Sequence, residues 1–198
     1  MRIPAHMRNN PFIIGLVGLP GAGKTTVTEF LEKHGFVRVI LSDIIRDELK
    51  KRGIVTCTRE MLQDVGNEMR RMYGSDVLAK RAIKQLRSMG GDKFVIDGIR
   101  NVSEIAYLKK QNHLLLIGIQ AAARVRFMRL KRRKLNPLTN SYQEFLLQAR
   151  RENKLGANTT GLRVIDCLKQ CQTILTNSNT VPMFEKQLHA FFVKHTMI

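Results

Sequence analysis

Short, almost continuously apolar runs alternate along the chain with longer stretches whose apolar residues recur at helical spacing. Phe12 to Val17 is such a run, and it reads as a strand buried on both faces. Phe36 to Leu41, Lys93 to Asp97, His113 to Gln120 and Thr173 to Thr176 are further candidate strands. Between them, Thr25 to His34 places Val27, Phe30 and Leu31 on one helical face. Helices are also predicted from Ser42 or Asp43 (as cap) toward Gly53, over Arg59 to Met72, and from Asp76 to Met89. Further helices follow over Ser103 to Gln111, about Ala122 to Lys134 (ended by Asn136-Pro137), Ser141 to Lys154, Leu162 to Lys169 and Val181 to Val193. Strands alternating with helices predict an α/β fold in three α/β/α layers around a five-stranded parallel sheet. In such sheets ligands sit at the carboxyl ends of the strands, where Gly18, Asp43, Asp97 and Gln120 fall.

Composition narrows the class. A chain of 198 residues, 43% hydrophobic, supports one core, expected over residues 12–198 with a flexible arm at 1–11. No window approaches the roughly 18–20 apolar residues of a membrane span, and Arg2, His6, Arg8, Asn9 and Asn10 precede the first apolar run. A cytoplasmic protein is the expectation. Three cysteines form no even disulfide framework, and Cys167 and Cys171 lack zinc-ligand companions, which leaves them as small hydrophobes on one helix face. The formal net charge of +18 is uneven: residues 1–99 hold 17 Lys and Arg against 11 acids, and residues 100–198 hold 17 against 5. An electrostatic trap for nucleotides, a nucleic-acid footprint and a merely solvated basic surface all remain open. Oligomeric state is not legible.

Gly18-Leu19-Pro20-Gly21-Ala22-Gly23-Lys24-Thr25 matches G-x-x-x-x-G-K-[ST] between an apolar strand and an amphipathic helix. The glycines permit backbone conformations in which several N–H groups converge on one anion, and the helix adds its positive end. Lys24 supplies a mobile ammonium for the β- and γ-phosphates of ATP, and the Thr25 hydroxyl is suited to Mg²⁺. Gly18, Pro20, Gly21, Ala22, Gly23, Lys24, Thr25 and Thr26 are therefore the candidate ATP contacts.

Downstream motifs resemble the nucleoside monophosphate kinases of the adenylate kinase type. Leu41-Ser42-Asp43-Ile44-Ile45-Arg46 is similar to their S/T-x-D-x-x-R segment, and Val95-Ile96-Asp97-Gly98-Ile99-Arg100 is similar to their hydrophobic-Asp-Gly-x-x-Arg segment, shortened by one residue. The resemblance implies that Asp43, Arg46 and Arg100 hold the acceptor and that Asp97 organises Mg²⁺. Arg129 and Arg133 resemble the paired arginines before the lid, and Arg150 and Arg151 those on its returning helix. A helical acceptor-binding segment at about 43–90 and a short lid at about 134–150 follow from the same likeness. The lid, without cysteine or acid between Lys134 and Gln143, resembles that of dephospho-coenzyme A kinases and of archaeal adenylate kinase-like proteins. Tyr73 to Ala79, and Cys167 to Asn179 with its strand ending in Asn177, also resemble those groups; an H-P-x-x-R acceptor motif is missing.

Arginine suits phosphate clamping because its planar fork grips two oxygens and stays charged. The implied activity is transfer of the γ-phosphoryl group of Mg·ATP to a nucleotide-like acceptor, most simply a (deoxy)nucleoside monophosphate. Lys24, Asp97, Arg129 and Arg133 would carry the chemistry. Dephospho-coenzyme A as acceptor, and a nucleic-acid-associated ATPase or polynucleotide kinase, are the alternatives. The last is poor in stacking platforms, since aromatic residues make up 6% of the chain and Trp is absent.

Overall fold

A computed structural model describes residues 11–111, 113–132, 141–154 and 163–198, the side chains of residues 111, 148 and 150–154 excepted. The strands are β1 (Phe12–Val17), β2 (Val37–Ile40), β3 (Lys93–Asp97), β4 (His113–Gln120) and β5 (Thr173–Thr176). They form one parallel sheet in the order β2-β3-β1-β4-β5. The intervening helices are α1 (Lys24–Glu32), α2 (Leu41–Lys51), α3 (Arg59–Tyr73), α4 (Val77–Met89) and α5 (Val102–Gln111). After β4 come α6 (Ala123–Arg132), α7 (Tyr142–Lys154), α8 (Val164–Lys169) and α9 (Val181–Lys194). The predicted three-layer α/β fold is the observed one.

The central strand, β1, is buried at every position after Phe12, which is why it reads as an unbroken apolar run. On one face of the sheet Ile13, Phe94, Ile96 and Leu116 pack with apolar residues of α2, α3, α4, α5 and α8. On the other, Ile14, Val95 and Ile117 pack with Val27 and Leu31 of α1 and Phe184, Leu188 and Phe192 of α9. Parallel register sets the chemistry at one edge: Leu16 lies opposite Asp97, and Ile40 lies opposite Asp97 on its other side. The phosphate loop, the β3 carboxylate and the start of α2 are thereby neighbours.

Two local expectations are corrected. Neither Ser42 nor Asp43 caps α2, which begins at Leu41 with extended Ile40 before it. Both side chains bond instead to Arg46 in the next turn, and this competes with capping. Cys171 lies past the end of α8 and not on its face; its Sγ donates to Cys167 O at 3.4 Å. Thr58 is a cap the pattern missed: its hydroxyl accepts from Met61 N and starts α3. Residues 1–10 of the expected arm, Asn136-Pro137 and most of the expected lid loop lie outside the described residues.

Candidate active site

From Val17 the chain turns through the glycine-rich segment into α1. Gly23 has φ +105°, and a Cβ there would overlap the Asn177 amide, so conformation and close approach both require glycine. Lys24 Nζ donates to Gly18 O at 2.9 Å, which folds its ammonium back across the loop. Thr28 Oγ1 donates to the Lys24 and Thr25 carbonyls and fastens the first turn of α1. Gly23 begins that helix without a side-chain cap, so the end of α1 that follows it is the anion-attracting one.

Behind the loop lies a brace. Asn177, buried just past β5, donates from Nδ2 to Ala22 O at 3.0 Å and accepts from Arg129 Nη2 at 2.9 Å. Arg129 Nη1 also reaches the Gly21 and Ala22 carbonyls, each at 3.4 Å. These groups line a cavity of about 130 Å³ with Lys24, Thr25, Thr26, Val181 and Phe184. Arg129 therefore braces the loop from the β5 side. Arg126, its neighbour one turn earlier on α6, is buried; it donates to Pro20 O and its guanidinium lies over the Phe145 ring of α7.

Asp97 ends β3 beside the loop, and Gly98, at φ +90°, turns the chain away from the sheet directly after it. The Asp97 Oδ1 atom is buried and has no hydrogen-bond partner among the described residues. A buried carboxylate oxygen left in that state is costly unless a cation or water completes it. Its place at the end of β3, opposite Leu16 of the strand that leads into the phosphate loop, together with hard oxygen chemistry, fits Mg²⁺. No cluster of three or more metal-ligating side chains occurs among the described residues.

A second cavity, of about 450 Å³, lies between α2, α3 and the turn after β3. Its wall combines Leu41, Ile45, Cys57, Leu62 and Leu78 with four arginines, Arg46, Arg59, Arg70 and Arg100, and includes Pro20 of the phosphate loop. Arg46 pairs with Asp43, so these two candidates come together. Arg59 and Arg70 were not legible as site residues. Arg70 forms a buried ion pair with Glu104 of α5 at 2.9 Å, a partner 34 residues away that no local pattern reveals. At the outer end of the same helices Glu48 bonds Arg81 and Arg52. Arg81 above all, with help from Arg52, holds its carboxyl below the usual range against the opposing effect of burial. Burial also raises the Cys167 thiol, and that of Cys171 to about 11, which favours the protonated form of both.

Arg133 lies outside the described residues; Arg150 and Arg151 fall on α7, but their side chains do too. No helix among the described residues is long and apolar enough to cross a membrane.

Comparison with known proteins gives the same picture. The model of the AAA domain family AAA_18 matches residues 14–146. A UPF0200/UPF0201 protein of Archaeoglobus fulgidus is 36% identical over 148 residues, 73% of this chain, which spans only about half (46%) of that relative. A UPF0200 protein of Methanocaldococcus jannaschii is 32% identical over 142 residues, covering 71% of this chain and 72% of that one. Among solved structures, shikimate kinase from Acinetobacter baumannii, in complex with shikimate, superposes with a TM-score of 0.54 at 15% identity, covering 98% of both chains. At that identity the likeness is one of fold, a P-loop kinase fold.

Proposed function

This chain belongs to the AAA_18 family of P-loop NTPases and to the UPF0200 proteins, and from that premise we propose that it is an ATP-dependent small-molecule kinase. The acceptor is nucleotide-like, most simply a (deoxy)nucleoside monophosphate. The observation that carries this reading is the arginine-lined cavity that reaches the phosphate loop at Pro20 and whose wall includes Gly98, the residue directly after Asp97.

In this reading the loop N–H groups and Lys24 hold the ATP phosphates, and Lys24 exchanges its bond to Gly18 O for phosphate oxygens. Arg46 and Arg100 fix the acceptor phosphate in line with the γ-phosphorus. An acceptor oxygen then bonds to that phosphorus as the bond to the β,γ-bridging oxygen breaks, and ADP leaves. Positioning and charge neutralisation supply most of the rate, so no strong base is required. Thr25 and Asp97 would hold Mg²⁺, which neutralises charge on the phosphates. Arg129 organises the loop from the donor side. Arg133, with Arg150 or Arg151, would close a lid from about 134–150 over the transferring group and exclude water. The segment 43–90 would be the acceptor-binding part of a single kinase domain spanning 12–198, working in the cytoplasm where ATP is supplied.

The +18 charge favours one second reading, a nucleic-acid-associated ATPase or polynucleotide kinase. An assay coupling ADP release to a panel of nucleoside monophosphates, dephospho-coenzyme A and 5′-hydroxyl oligonucleotides separates the two. Stimulation above the ATPase background by a monophosphate supports the first reading. Stimulation by oligonucleotides alone would replace it with the second.

A further inference from the structure

Glu104 has the least exposed carboxylate in the neighbourhood of the site, with side-chain exposure of 0%, and both of its oxygens are committed. Oε2 accepts from Arg100 N at 3.0 Å and from Asn101 N at 3.1 Å. Oε1 accepts from Arg70 Nη2 at 2.9 Å and Nε at 3.2 Å. Part of this is a capping box: Asn101 Oδ1 accepts from Ser103 N while the Glu104 carboxylate returns to Asn101 N. A capping box alone explains neither the bond to Arg100 N nor the buried guanidinium. A buried charged pair is a poor source of net stability compared with apolar packing, so its presence beside a ligand cavity points to a positional role.

The geometry points to Glu104 as a positioning residue of the phosphoryl-transfer site, a conclusion that rests on the kinase reading above. One oxygen fixes the turn that leaves Asp97 and presents Arg100. The other fixes Arg70, which lines the acceptor cavity from α3. Glu104 touches neither substrate; it holds the acceptor wall and the metal-side turn in one frame. Arg100 O also accepts from Arg163 N at 2.7 Å, so the turn stays attached to α8 when Glu104 is altered, but its N–H side does not.

The test compares wild type with Glu104→Gln and Arg70→Met. A glutamine oxygen satisfies the backbone N–H groups or Arg70, not both, because its amide nitrogen donates. Expected for Glu104→Gln are a cooperative melt, ADP affinity without Mg²⁺ within about twofold, and a loss of about 100-fold in acceptor-dependent kcat/KM per folded molecule, the scale of a small misplacement of reacting groups. Amide hydrogen exchange at Arg100 and Asn101, read without substrate in a third variant, Glu104→Ala, which removes both acceptor oxygens, should accelerate at least about tenfold. Arg70→Met keeps the capping box and covers failure of the first variant to fold; it should raise acceptor KM, with partial rescue by Arg70→Lys. Unchanged turnover per folded molecule in Glu104→Gln and Arg70→Met, or unchanged exchange at Arg100 and Asn101 in Glu104→Ala, would overturn the assignment. Wild type lacking acceptor-dependent turnover would instead overturn the kinase reading, and exchange would still decide whether Glu104 holds the turn.

Discussion

Asn177→Ala removes the brace behind the phosphate loop. Its amide meets the buried Ala22 carbonyl at 3.0 Å and the half-buried Arg129 guanidinium at 2.9 Å. Leaving a buried polar group without its partner costs about 1–3 kcal/mol, more where one member is charged. Compensation exists on both sides, since Arg129 Nη1 reaches Ala22 O at 3.4 Å and Nη2 reaches Asn179 O at 3.2 Å. The low end of each contribution therefore applies, for a total of about 2 kcal/mol. In a domain of this size that lowers Tm by about 4–8 °C. If half of the loss falls on the loop's preorganisation for phosphate, ADP binds about fivefold more weakly. Urea unfolding gives the first quantity and isothermal titration with ADP the second. A variant with Tm within about 1 °C and affinity within about twofold of wild type would refute the brace, because it would mean the loop holds its shape unaided.

Asp97→Asn should leave stability equal to or above wild type, since it removes charge from a buried oxygen without a partner among the described residues. The same change should cost about 100-fold or more in Mg²⁺-dependent turnover, so a melt and a rate assay must move differently. Arg46→Met should raise acceptor KM about 10- to 100-fold with ATP affinity kept, measured by initial rates at saturating ATP. Its partner Asp43 is about half exposed, so little stability is lost. Glu48 titrates below its ordinary value when folded, so its contribution is fully present above the ordinary carboxylate range. The stability difference between wild type and Glu48→Gln should persist at pH 7 and shrink as pH falls below about 4.3, through the lowered native value, in urea titrations at stepped pH.

Much of the framework was legible because the responsible signals are local. Buried parallel strands read as apolar runs, and β1, β3, β4 and β5 begin and end where the pattern places them. The phosphate loop was legible for the same reason, since one contiguous segment contains its glycines, its lysine and the helix that follows. The start of α2 was misplaced because Ser42 and Asp43 resemble caps; only the structure reveals that Arg46 engages them. Asn177 had a weak signal, its place at the end of the last strand in a segment resembling the dephospho-coenzyme A kinase group. Arg70 and Glu104 had none: a pair separated by 34 residues becomes a pair only when α3 and α5 meet beside β3. Arg59 read as the ordinary first residue of a helix until the fold turned it toward the cavity. Site residues contributed by tertiary meetings are the part that one sequence cannot order.

Direct observation of the transferred group tests the central proposal most sharply. Incubation with [γ-³²P]ATP, Mg²⁺ and each nucleoside monophosphate in turn, followed by separation of the products, distinguishes transfer to an acceptor from transfer to water. The expected result is label in the β-position of one nucleoside diphosphate, lost in Lys24→Ala. Label appearing only as inorganic phosphate with every acceptor would contradict a kinase and leave an ATPase.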